Sequence, residues 1–147
     1  VSAPFLVVIP VAPPSSLLPN KRRKGKGGSH WSVQSSDTEA LKTRAKGAAV
    51  DLHASGVWDG KPLDGPVVVS YLVTWPYARY KNEKPIPDHD AIPTAAKAIL
   101  DGLVLAGVLP DDSHEYVYEI RARGVRGAKD DPYPDGSTLV TLKGVVL

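Results

Sequence analysis

The chain has 147 residues, 42% of them hydrophobic, and a formal net charge of +2. That is enough apolar material for one domain with its own core, and the absence of cysteine excludes disulfide frameworks, zinc-thiolate sites and cysteine nucleophiles. The balance of charge excludes a uniformly basic surface, but Lys21, Arg22, Arg23, Lys24 and Lys26 fall within six residues, so the positive field is local.

In chain order, Phe5-Leu6-Val7-Val8-Ile9 is a β-rich apolar run ended by Pro10. It is too short to span a membrane and lacks the flanks of a secretory leader, so a soluble, cytoplasmic protein is expected. Pro13, Pro14 and Pro19 with Gly25, Gly27 and Gly28 predict a flexible basic loop at about 13–30. Ser36 and Glu39 have the spacing of a capping box, and Leu41, Ala45, Ala48, Ala49 and Leu52 follow at helical spacing until Ser55-Gly56. Pro66 to Trp75 is dense in β-branched and aromatic residues and predicts a buried strand, followed by a polar loop through Pro87. Pro93 suits a first helical turn, Ala96, Ile99, Leu100, Leu103 and Val104 supply an apolar face, and Gly107 is placed for the C-terminal cap. The second helix is thus predicted over about Pro93 to Ala106. Two further strands are predicted, Tyr116 to Arg123 and Ser137 to Val146, on either side of the turn-forming run Asp130 to Gly136. The expectation is a single α/β (α+β) domain over 1–147, order β-α-β-α-β-β, with two main helices packed on a mixed sheet.

The acidic residues carry the chemistry. Asp88 and Asp90 stand at i and i+2, so in extended chain both carboxylates project to one side and repel, a repulsion that a divalent cation removes. Taken alone, acids lying before a helix are more often solvated or drawn to its N-terminal dipole. Asp111 and Asp112 follow the far end of that helix, about one helix length away if it is straight. They share a cation with the first pair only if the chain doubles back, and as Pro-Asp-Asp-Ser they also read as a surface turn. Lys97 and Asp101 at i and i+4 read as a surface ion pair, whereas a lysine pointing at a metal-bound phosphate would stabilise the charge of phosphoryl transfer.

The four histidines lack metal-ligand spacing, no serine lies in a nucleophile elbow, and Gly25-Lys26-Gly27-Gly28 lacks the Lys-Ser/Thr of a P-loop. No nucleotide cofactor is expected. His89, between two acids, is the one histidine placed to report on cation binding. The basic loop reads either as solvated chain or as a clamp on phosphates, and Arg79, Lys81, Lys84, Arg121 and Arg123 extend the second reading. Trp31, Trp75, Tyr77 and Tyr80 read as core or sheet-edge residues rather than base-stacking platforms.

The sixteen residues Lys97-Ala98-Ile99-Leu100-Asp101-Gly102-Leu103-Val104-Leu105-Ala106-Gly107-Val108-Leu109-Pro110-Asp111-Asp112 resemble the signature helix and turn of the RusA-type Holliday junction endodeoxyribonucleases. Upstream, Asp88-x-Asp90 resembles the family's Asp-x-Asp, and the opening strand with Pro13-Pro14-Ser15 and the basic loop is similar to its N-terminus. The resemblance implies that Asp88, Asp90 and Asp112 are catalytic and bind magnesium and that Lys97 is needed for cleavage, and a site of three carboxylates should accept manganese as well. The resemblance further implies a homodimer nicking opposing strands of a four-way junction and a bacterial or phage origin, and in such an enzyme the local charge of Lys21, Arg22, Arg23, Lys24 and Lys26 becomes a contact with DNA. Two departures stand beside the site: Ala91 replaces the usual asparagine after the second acid, and Lys97 stands seven rather than four positions on, an insertion within Ile92-Pro93-Thr94-Ala95. The sequence leaves three functions open: a junction-resolving nuclease, another metal-dependent nuclease on the same scaffold, and a branched-DNA-binding protein with impaired catalysis.

Overall fold

The computed structural model describes residues 3–19 and 29–145. They form one mixed α/β domain. Its strands are β1 (Phe5–Ile9), β2 (Val67–Trp75), β3 (Val117–Arg126) and β4 (Ser137–Gly144), in a single sheet of order β1-β4-β2-β3. The helices are α1 (Ser29–Ala54), the single turn α2 (Tyr77–Tyr80), α3 (Ile92–Ala95) and α4 (Lys97–Leu105), with short 3-10 turns at Ser15–Leu17 and His89–Ala91. β4 pairs antiparallel with both β1 and β2, whereas β2 and β3 run parallel. A parallel pair needs a long crossover, and the segment between Trp75 and Val117 supplies it. Asp88, Asp90, Lys97, Asp101 and Asp112 all lie on that crossover.

Burial alternates along β1, β2 and β4, as the period of two in a strand requires. Val7, Ile9, Val69, Val73, Trp75, Val140 and Leu142 face the helices and are nearly inaccessible. The opposite face, with Leu6, Val8 and Leu72, is open. From the helical layer, Leu41, Ala45 and Ala49 of α1 and Ile99 and Leu103 of α4 complete the core. The two helices meet at Gly102, where a Cβ would stand 2.3 Å from the Lys42 carbonyl oxygen and 2.8 Å from Ala45 Cβ.

Three boundaries differ from expectation. α1 begins at Ser29, a full turn or more before the predicted capping box at Ser36. Gly28 is the last helix breaker in that region, and a clamp on the Ser15–Leu17 turn holds the added turns. Ser16 Oγ donates to Asp37 Oδ2 at 2.5 Å, and Gln34 Nε2 donates to the Ser16 carbonyl at 3.1 Å. The second predicted helix breaks at Ala96, whose φ of −93° and ψ of 4° separate α3 from α4. Ile92, Ala95, Ala96, Ala98, Ile99 and Leu100 are all buried, too wide an arc for one straight helix lying on a sheet. β3 runs on to Arg126 because its parallel ladder with β2 continues to Trp75.

α4 ends as predicted at Gly107, which has a φ of +86°. Val108 N–H donates to the Leu103 carbonyl and Gly107 N–H to that of Val104, both at 3.0 Å, the paired bonds of a Schellman cap. Val108 and Leu109 are then fully buried, and Leu63 N–H donates to the Val108 carbonyl at 2.8 Å. The chain is thereby reversed onto the helix it has just left.

Candidate functional site

That reversal brings Asp112 back to the first turn of α4. Lys97 lies in the first turn of α4 and Asp112 beyond its end, yet the Lys97 ammonium donates directly to Asp112 Oδ2. It also donates to Asp101 Oδ1 at 2.6 Å, so one lysine bridges two carboxylates. Asp112 is fixed from behind by its own N–H, which donates to Asp111 Oδ1 at 2.8 Å. Asp101, Asp111 and Asp112, with Lys42, line a hollow of about 240 Å³ beside α4.

The electrostatics follow from this bridge. Partial burial acts to lower the Lys97 pKa, but the hydrogen bonds and charges of Asp101 and Asp112 outweigh it, and the net shift is upward. Asp112 moves the other way: the hydrogen bond from Lys97 lowers its pKa against a smaller opposing effect of burial. Tyr71 is buried, and burial first, then the charges of Asp101 and Asp112, hold its phenol neutral well above the usual tyrosine range. The side chains of Lys97, Asp101 and Asp112 retain 54%, 38% and 32% exposure, so the bridge is accessible to solvent and to a ligand.

Asp88 and Asp90 occupy a second place. Asp88 is extended, with φ −62° and ψ 148°, and Asp90 lies in the 3-10 turn that follows. Both are exposed and line a cleft of about 410 Å³ with Leu18, Pro19, Tyr80, Pro85, Pro87 and Ala91. His89 between them turns to the sheet, where its Nδ1 accepts a hydrogen bond from Gly124 N–H at 2.9 Å. The ring therefore ties the acidic turn to β3. Glycine is needed at 124, since a Cβ there would stand 2.6 Å from Trp75 Nε1.

Oxygen ligands of this kind suit a hard divalent cation. Among the described residues, however, no three His, Asp or Glu side chains converge closely enough to hold one. Asp88 and Asp90 share a cleft, whereas the Asp112 carboxylate is held by Lys97. The three acids grouped by sequence thus stand as two sets on the same crossover.

The basic residues divide similarly. Lys21, Arg22, Arg23, Lys24 and Lys26 lie outside the described residues. Arg121 and Arg123 are exposed and line one hollow on the open face of the sheet with Ser70, Leu72, Leu139 and Thr141, Arg121 being paired to Glu119 at 2.9 Å. Trp75 and Tyr80 are core residues in edge-to-face contact at 5.8 Å between ring centroids. Sequence reasoning missed Arg126, which donates to the carbonyls of Tyr80 and, at 2.8 Å, Lys84, and so ties the loop before the acids to the end of β3. Only the parallel pairing of β2 with β3 brings it there.

No helix among the described residues is long and apolar enough to cross a membrane. Comparison with protein-family models and with curated proteins finds no match.

Proposed function

We propose that the protein is a magnesium-dependent endodeoxyribonuclease that cuts branched DNA, such as four-way junctions, by paired nicks as a homodimer. The observation that carries this reading is the contact between Lys97 and Asp112. The two polar ends of the signature-like segment meet although they are 15 positions apart, and they meet on the crossover that also presents Asp88 and Asp90.

With the side chains arranged in this way, each set has its own part. Asp88 and Asp90 offer an exposed dianionic cleft, which by ligand type selects magnesium or manganese over softer metals. A bound cation of that class would supply charge stabilisation at a phosphodiester. Lys97 keeps its proton across the physiological range because its shift is upward, so it is a fixed positive group for phosphate oxygens. Asp101 and Asp112 orient it. The basic residues Lys21, Arg22, Arg23, Lys24 and Lys26 are assigned to the DNA backbone on charge alone.

A second reading, a branched-DNA-binding protein with impaired catalysis, is favoured by one observation: Asp112 is already engaged by Lys97 and the three acids do not converge. Incubation with magnesium and labelled four-way junction, flap and duplex separates the two. Symmetric nicks in the junction alone support a resolving nuclease. Cutting of flap and duplex at equal rates supports a broader nuclease, and tight junction binding without product supports the second reading.

A further inference from the structure

A separate cavity of about 340 Å³ opens beside the acidic cleft, and Tyr80 lines both. Its other walls include Tyr77, Lys81, Glu83, Arg126 and Lys129. Three cations and one carboxylate leave it net positive, in contrast to the cleft that holds Asp88 and Asp90. It sits at the C-terminal ends of the adjacent parallel strands β2 and β3, where Gly127 N–H donates to the Trp75 carbonyl at 2.9 Å. The crevice beyond the carboxyl ends of parallel strands is the usual ligand position in open α/β sheets.

The cavity wall is built rather than incidental. Asn82 and Glu83 both have a φ of 61°, a left-handed conformation that non-glycine residues adopt at a cost and that concentrates at functional sites. Arg126 holds this turn through the Tyr80 and Lys84 carbonyls, one on each side of it. Gly127 lets the opposite wall close, since a Cβ there would stand 2.6 Å from the Trp75 carbonyl oxygen. Lys81 and Lys129 are exposed and enter no ion pair among the described residues.

We infer that this cavity is an anion subsite that takes a backbone phosphate of nucleic acid immediately beside the Asp88–Asp90 cleft, with Lys81 and Lys129 as the phosphate contacts. Arg126 shapes the subsite, and the Glu83 carboxylate at its wall limits it to one phosphate track. The inference rests on the proposed action on DNA, but its ligand chemistry, a phosphate oxygen met by two ammonium groups, stands apart from whether the protein cuts.

The test is the salt dependence of binding to a fluorescent four-way junction in EDTA, where no cutting intervenes, for the full chain and two double variants. Each phosphate contact contributes about 0.9 to the slope of log affinity against log salt. Lys81→Ala with Lys129→Ala, which empties a subsite for one phosphate, should lower that slope by about 0.9, whereas Lys61→Ala with Lys143→Ala, two exposed lysines elsewhere, should leave it unchanged. An unchanged slope for the first pair, or an equal fall for both, overturns the inference. If the unmodified chain binds no junction, the proposed function fails, and the subsite is judged with inorganic pyrophosphate. Saturable amide shifts at Lys81–Glu83 and Gly127–Lys129, lost in the Lys81/Lys129 variant, uphold an anion site for a free phosphate compound, and their absence overturns it.

Discussion

Replacing Gly102 by alanine should destabilise the protein even though alanine is the better helix former. The new Cβ would stand 2.3 Å from the Lys42 carbonyl oxygen, 2.8 Å from Ala45 Cβ and 3.1 Å from Lys46 N, where ordinary contact begins near 3.4 Å. Two of these neighbours are backbone and the third is a methyl group, so none swings aside, and α4 must retreat from α1 by about 1 Å. Overpacking of this kind typically costs about 1–3 kcal/mol, and the wall of backbone places Gly102 toward the upper end. The helix-propensity gain offsets about 1 kcal/mol, leaving a net loss of about 1–2 kcal/mol. For a chain of this length that lowers Tm by about 2–8 °C. Urea unfolding at constant m-value measures it. Gly107→Ala is the contrast: its Cβ meets nothing within 4 Å, so only the φ of +86° opposes it, at about 1–2 kcal/mol with α1 and α4 undisturbed. A Gly102→Ala protein as stable as the parent, or more so, would refute the tight helix crossing.

Lys97→Gln should raise the Asp112 carboxyl pKa, followed by carbonyl chemical shift, because the Lys97 hydrogen bond is the leading cause of its depression. Since the folded pKa of Asp112 is lowered, its contribution to stability is present above the unfolded value and is lost as pH falls through the folded one. That of Lys97, whose pKa is raised, is present below the unfolded lysine value and lost as pH rises through the folded one. The deficit of Lys97→Gln should therefore be level between about pH 5 and 10 and shrink in acid, at no more than about 1 kcal/mol for side chains this exposed. Exchanging Lys21, Arg22, Arg23, Lys24 and Lys26 for alanine should weaken DNA binding at every sequence alike and flatten its salt dependence; an unchanged slope would make the loop a bystander. Light scattering should give a dimer, the simplest match to a junction of approximate two-fold symmetry, and a monomer both free and junction-bound would defeat the paired-nick mechanism.

The strands were legible because runs of β-branched and aromatic residues bounded by proline and turn residues are local signals, whereas the choice of which alternate residues of β1, β2 and β4 are buried came from the helices packed on one face. The cap at Gly107 was legible for the same reason: a residue at positive φ calls for glycine. Signals that compete with distant contacts misled. The Ser36–Glu39 box is good capping chemistry, but Ser16 holds Gln34 and Asp37 inside a longer helix. The break at Ala96 depends on what its neighbours are buried against. In the site, spacing made Lys97–Asp101 a visible pair, whereas the contact with Asp112 depends on a reversal after Gly107 that spacing left open. The separation of Asp88 and Asp90 from Asp112 was one of two arrangements that the helix spacing left open. The basic cavity was not visible, because its walls meet only once β2 and β3 pair in parallel.

Magnesium-dependent paired nicking is decided by one comparison, the unmodified chain and Asp90→Asn on a labelled four-way junction, with cleavage followed in magnesium and binding in calcium. Asp90 is exposed in its cleft and its carboxylate enters no hydrogen bond or ion pair among the described residues, so its exchange should leave the fold intact. Removing one acid should abolish paired nicking and leave binding equal or tighter, because a charge that holds the cation and repels DNA is lost. Cleavage by Asp90→Asn at the parent rate, or no magnesium-dependent cleavage by the parent itself, would rule out a nuclease built on the Asp88–Asp90 cleft.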